Sequence, residues 1–209
     1  EKEGPRDLTN VKLTILEFCC SKDSKLGNLD HPLIDVKRYD LDHDVTKDKY
    51  LNDALETVKS RPRGSIHLYG AIPCVGGSGL MNYVKGTPSG DALIAKHRAD
   101  MAEIWKSWII VAAAVRNSGG KISMEWPSGN AYWGFQSVND FVSSYGLDKA
   151  KFHGCALGLV NSDNVPIKKP WTIATDDDEV YFEMIRHQCK HKSKSHGQCL
   201  GQTAADTAN

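Results

Sequence analysis

The residue of this chain best placed for covalent chemistry is Cys74, which directly follows Pro73 and precedes Val75, Gly76, Gly77 and Ser78. Proline fixes its own φ, and glycines leave room for a substrate, so the thiol is expected on a rigid, exposed turn. A thiolate attacks carbon readily once its proton is gone. The competing reading is a small buried residue in a tight turn. Glu125, read as the end of an apolar run before Trp126 and Pro127, is the second candidate. A carboxyl group in a dry pocket can hold or pass a proton, because burial raises its pKa. A glutamate that caps a loop or pairs with a lysine is the structural alternative. A third cluster, Cys189, His191, His196 and Cys199, offers two thiols and two imidazoles that could hold zinc tetrahedrally. Its spacing is not that of a common finger. Without metal it reads as a basic tail, whose Lys190, Lys192 and Lys194 favour contact with phosphate.

The elements that must position these residues follow from hydrophobic period and punctuation. Apolar, β-rich runs predict strands over 11–18, 34–39, 65–72, 121–125 and 170–175. Three- and four-residue apolar steps predict helices over 47–59, from Asp91 to about Val115, and over 138–145, with Gly119 and Gly120 ending the second. Glycine and turn-formers predict a loop over 79–90. Strands alternating with helices predict an α/β fold with a mostly parallel sheet covered on both faces. In such sheets ligands bind at the carboxyl ends of the strands, which selects the loops after Phe18, Asp40, Ile72 and Glu125.

Composition narrows the function classes. Lys plus Arg and Asp plus Glu are each 26, so any contact with a polyanion must come from a local patch. No apolar run is long enough to span a bilayer, and no leader is visible, so a membrane role and secretion are not expected. Adjacent Cys19 and Cys20 in an apolar strand read as free thiols of a reducing, nuclear or cytoplasmic compartment. The start at Glu1 predicts a domain of a larger protein. Residues 8–185 are expected to form the catalytic domain and 186–209 a polar tail.

In sequence order, Leu16-Glu17-Phe18, Pro73-Cys74, the helix over Met101–Val115, Met124-Glu125-Trp126 and the segment Val165–Ala174 resemble the cytosine-C5 DNA methyltransferase family. The resemblance implies a Rossmann-like methyltransferase fold that uses S-adenosylmethionine and acts on DNA or RNA. It implies Cys74 as the nucleophile that adds to C6 of cytosine and Glu125 as the group that holds N3. Lys168 and Lys169 would stand for the family's arginines. Phe18, Cys19, Ser21, Ser24, Gly27 and Pro73 would line the cofactor site, and Asp40 or Asp42 would accept from ribose hydroxyls. Where that family has a glycine cluster, this chain has Cys19-Cys20-Ser21-Lys22-Asp23-Ser24. Two further readings are a catalytically idle module of the same fold that binds nucleic acid, and a cysteine hydrolase that pairs Cys74 with His67 or His153.

Overall fold

The computed structural model describes residues 10–21, 24–192 and 195–197. The chain is α/β and divides into two units: residues up to Gly70 with Lys106–Ile122, and Ala71–Trp105 with the residues from Ser123 onward. In the first unit β1 (Leu13–Phe18), β2 (Ile34–Tyr39) and β3 (Ile66–Gly70) lie in the order β2-β1-β3, with both pairings parallel. Helix α1 (Asp48–Ser60) supplies the crossover from β2 to β3 that parallel pairing requires. The chain therefore reverses its direction of travel across the sheet between β1 and β3, which in an open α/β sheet is where ligands bind.

Helix α2 runs Pro88–Asn117, starting earlier than its apolar period suggests. Its last turns bring Trp108, Val111, Ala112 and Val115 into the first unit's core, where each is fully buried. Trp108 meets Phe18 edge-on at 5.9 Å, and Phe18 meets Tyr39 at 5.0 Å. Gly70 is glycine because of this packing. A Cβ there would lie 2.5 Å from the Trp108 ring.

The second unit holds β4 (Lys121–Pro127, from Ser123 onward), α3 (Gln136–Tyr145), β5 (Asp148–His153), β6 (Pro170–Thr175) and α4 (Asp178–Arg186). Here β6 lies between β4 and β5 and is antiparallel to both. The expected parallel pairing thus holds in the first unit, while the second adds an antiparallel set. The chain passes from β5 to β6 with only a 3-10 turn at Gly154–Leu157, and no crossover helix is present to turn it parallel. Trp126 of β4 is the hub of this unit's core, with the rings of Trp133, Tyr132 and Trp105 at 5.0, 5.5 and 6.1 Å. Among the described residues, no helix is long and apolar enough to cross a membrane.

The Trp108 packing yields a test within the first unit. Trp108→Ala removes a fully buried ring and is expected to cost about 3–5 kcal/mol. Gly70→Ala forces a methyl group into that ring and should cost about 1–3 kcal/mol. Urea unfolding checks both, and equal stability of Gly70→Ala and the parent chain would contradict the packing described.

Candidate functional site

After β3 the chain leaves the sheet through Ala71, Ile72 and Pro73, and its carbonyls lose their ladder partners. Two side chains replace them. Trp126 Nε1 donates to the carbonyl of Ile72 at 2.6 Å, and Asn130 Nδ2 donates to the carbonyl of Cys74 at 2.8 Å. Both donors are almost wholly buried. Asn130 is itself fixed, since its Oδ1 accepts from the backbone of Tyr132 at 2.9 Å. Gly77 N–H adds a second donor to the Cys74 carbonyl, which opens the 3-10 turn Val75–Gly77. Cys74 sits at φ −98° and ψ 0°, the bridge region that active-site residues often occupy.

The glycines after Cys74 serve a different purpose from the one expected. Gly76 and Gly77 are buried, and they make room for protein rather than for a substrate. A Cβ on Gly77 would lie 2.1 Å from Asn130 Oδ1, and one on Gly76 would lie 2.5 Å from the Tyr132 hydroxyl. Without them, Asn130 could not reach the Cys74 carbonyl.

Cys74 is half-buried, and its thiol pKa is raised. Burial is the chief cause, and the carboxylate of Glu125 adds to it, while the ammonium of Lys169 pulls the other way. The charges of Glu125 and Lys169, both in the second unit, thus reach the thiol. Lys169 also rests over the Trp171 ring at 4.8 Å. Lys168 faces elsewhere: it is exposed, and its charge acts on His153 and Cys155. Glu125 lies within β4, two residues before its end. Beside the turn a pocket of about 110 Å³ is lined by Ser78, Met81, Lys85, Ile94, Arg98 and the glycines. Tyr132 is core, not a free stacking surface.

The cofactor candidates lie in the first unit, apart from exposed Pro73. Phe18 is wholly buried between Tyr39 and Trp108, so its ring cannot line a ligand site and only its backbone is available. Gly27 is tight against Arg38, where a Cβ would lie 2.1 Å from Cδ. Cys19 takes the left-handed conformation, φ 60°, in the position where the resembled family would place glycine. Burial, helped by Cys20 and Asp44, pushes the Cys19 thiol up to about 12. Burial and then Glu17 push the Cys20 thiol to about 12.

The residue missed in the sequence is Glu17. It is 4% exposed at the carboxyl end of β1. Ser24 Oγ donates to its Oε1, while Oε2 is buried and has no hydrogen-bond partner among the described residues. A buried acceptor of this kind can take a donor from a ligand. Ser24 Oγ also accepts from the backbone of Gly27 at 3.0 Å, which closes the loop. At the end of β2, Asp40 Oδ1 accepts from the backbone N–H groups of Asp42 and His43 and meets the His43 ring at 2.9 Å. Burial opposes ionisation of Asp40, but these hydrogen bonds outweigh it and hold its pKa below the usual range. Asp42 is exposed. A buried acceptor at β1 and a carboxylate at β2 fit a ligand that carries an ammonium group and a ribose, and Ser21 and Ser24 border them.

The Cys/His cluster is assembled with one change. Cys155, Cys189, His191 and His196 place their ligand atoms within 4.8 Å of one another, a set that could hold a metal ion. Cys199 lies outside the described residues. Cys155 joins the set from the turn after β5. His153 belongs to the same region and accepts from the Cys189 N–H at 3.2 Å, so it is not the partner of Cys74 that a cysteine hydrolase would need. Compared with known protein families, with curated proteins and with solved structures, the chain matches none.

The charges around Cys74 give opposite shifts when removed. Lys169→Ala should move the pH midpoint of Cys74 alkylation upward and Glu125→Gln should move it downward, both measured by peptide mass spectrometry of iodoacetamide adducts. Two shifts in the same direction would show that the two charges do not act on the thiol as described.

Proposed function

We propose that the chain is a Rossmann-like methyltransferase domain of the cytosine-C5 type, transferring a methyl group from S-adenosylmethionine to a cytosine in nucleic acid. The observation that carries this reading is the turn at Cys74, whose flanking carbonyls are clamped by Trp126 and Asn130 and whose thiol feels the charges of Glu125 and Lys169. A clamped turn holds a nucleophile in the orientation that attack requires.

In this reading Cys74 passes its proton to the Glu125 carboxylate as the base enters, and Sγ forms a bond to C6 of cytosine. The ring's electrons are pushed toward C5. The Glu125 carboxyl group donates a hydrogen bond at N3, offsetting the negative charge that builds in the ring. Lys169 favours the thiolate at the moment of attack, against the burial that keeps the resting thiol protonated. When bound, S-adenosylmethionine supplies an electrophilic methyl group to C5. Loss of the C5 proton to solvent then restores the C5–C6 double bond and expels Cys74 as thiolate.

Glu17 Oε2 would accept from the ammonium of the methionine moiety, and Asp40 Oδ2 from a ribose hydroxyl. Lys85 and Arg98, in the pocket beside the turn, would take a phosphate of the substrate. A base in a duplex would have to be flipped out of the stack, at a cost of a few kcal/mol. A second reading, an idle module of the same fold that binds nucleic acid, draws on the buried Phe18 ring and the left-handed Cys19 in the cofactor loop.

Isothermal titration of the full chain with S-adenosylmethionine and with its demethylated product should show binding. Glu17→Gln should weaken that binding by roughly tenfold, the effect of losing a charged hydrogen bond. Cys74→Ser should keep fold and cofactor affinity while losing transfer of labelled methyl to a cytosine-containing oligonucleotide. Absence of heat with both compounds would remove the methyltransferase reading, and oligonucleotide binding in its place would favour the idle module.

A further inference from the structure

We propose that the second unit carries a closed structural zinc centre whose four ligands are Cys155, Cys189, His191 and His196. The inference stands apart from the methyltransferase reading, because it uses none of the residues at Cys74. Its starting point is convergence. Cys155 lies in the 3-10 turn after β5, and the other three lie beyond α4, yet all four ligand atoms fall within 4.8 Å of one another.

Two of the spacings are close to those of a tetrahedral site. With Zn–S of about 2.3 Å and Zn–N of about 2.0–2.1 Å, neighbouring ligand atoms stand about 3.3–3.8 Å apart. Cys189 Sγ is 3.2 Å from His196 Nε2 and 3.7 Å from His191 Nδ1. The two imidazoles are nearly perpendicular, at 87° with centroids 5.4 Å apart, so they approach a common point from different directions.

Ligand chemistry selects the ion. Two thiolates neutralise a divalent charge, and a set of two sulfurs and two imidazole nitrogens without a carboxylate suits zinc over magnesium, calcium or manganese. Four protein ligands leave no open position for water, which makes the centre structural rather than catalytic.

The surroundings are built to hold the ligands. Cys189 N–H donates to His153 Nδ1 at 3.2 Å, and the Gln188 side chain donates to the carbonyl of Lys151 at 2.7 Å. These contacts dock the segment after α4 onto β5. Gly197 N–H donates to the carbonyl of Pro166 at 2.9 Å, anchoring the other end of the ligand segment. Gly154 N–H donates to the carbonyls of Lys168 and Lys169, fixing the turn that carries Cys155. Between the anchors, His191 and Lys192 are exposed and bury little. Metal coordination supplies the free energy that burial does not.

The full chain, purified without chelator, should carry one zinc by native mass spectrometry. Replacement by cobalt should give tetrahedral visible bands and a thiolate charge-transfer band. Cys155→Ser, Cys189→Ser and His191→Ala should each weaken zinc binding by about 100-fold or more in competition with a chromophoric chelator. Cys199→Ser and Cys74→Ser should leave it within about twofold. Should Cys155→Ser fail to fold, the exposed His191 and half-exposed Cys189 variants read the same site, and unchanged affinity in both overturns it. A metal-free parent chain, a Cys155–Cys189 disulfide in the non-reduced peptide map, or loss of zinc in Cys199→Ser with retention in Cys155→Ser also overturns it.

Discussion

Two buried side-chain donors, Trp126 Nε1 and Asn130 Nδ2, hold the carbonyls of Ile72 and Cys74, and the arrangement of the candidate site depends on them. A carbonyl leaving a sheet for a buried turn must find a donor, and failing to do so costs about 1–3 kcal/mol. Here both donors come from β4 and the turn after it, the same stretch that presents Glu125. The nucleophile candidate and the carboxylate are thus brought together by the need to satisfy backbone. The neighbouring glycines follow from the same constraint, since only a residue without Cβ lets Asn130 and Tyr132 pack under the turn.

The cysteines of the chain divide by their electrostatic surroundings. Cys19 and Cys20, with thiols pushed to about 12, carry roughly one thiolate in 10⁵ molecules at neutral pH and are inert packing groups. Cys74 is also raised by burial, but the ammonium of Lys169 opposes the effect. Such a thiol is quiet at rest and becomes nucleophilic when its proton is taken during reaction, which protects it from adventitious oxidation.

Much of this was legible in the sequence because it is local. The parallel strands β1, β2 and β3 and helix α1 follow from apolar runs and helical period, and the turn at Pro73-Cys74 follows from residue type. What was not legible has physical reasons. Strand β5, with its Lys149 and Lys151, alternates polar residues outward and carries too few apolar ones to register as a run. Helix α4 opens on the acidic Asp178 and Glu179 after an Asp177 cap and reads as a polar stretch, although its cap hydrogen bonds to Glu179 and Val180 are formed. Glu17 sits inside an apolar run, where a lone carboxylate looks like an outward-facing residue; only burial reveals its unpaired oxygen. Cys155 was unreadable as a ligand because its partners are distant in sequence.

The same contrast of surroundings separates the two reactive centres of the second unit. A divalent cation offered to this unit meets one thiol flanked by an ammonium group at Cys74, and two thiols flanked by two imidazoles at Cys155 and Cys189. Lys169 disfavours a cation at Cys74 and, in the methyltransferase reading proposed above, favours the thiolate. The imidazole nitrogens of His191 and His196 are ligands of a kind that a metal can use directly. A chain with both kinds of thiol can therefore keep a metal at one and a free nucleophile at the other without a barrier between them, because the charge beside each thiol already decides what it will bind.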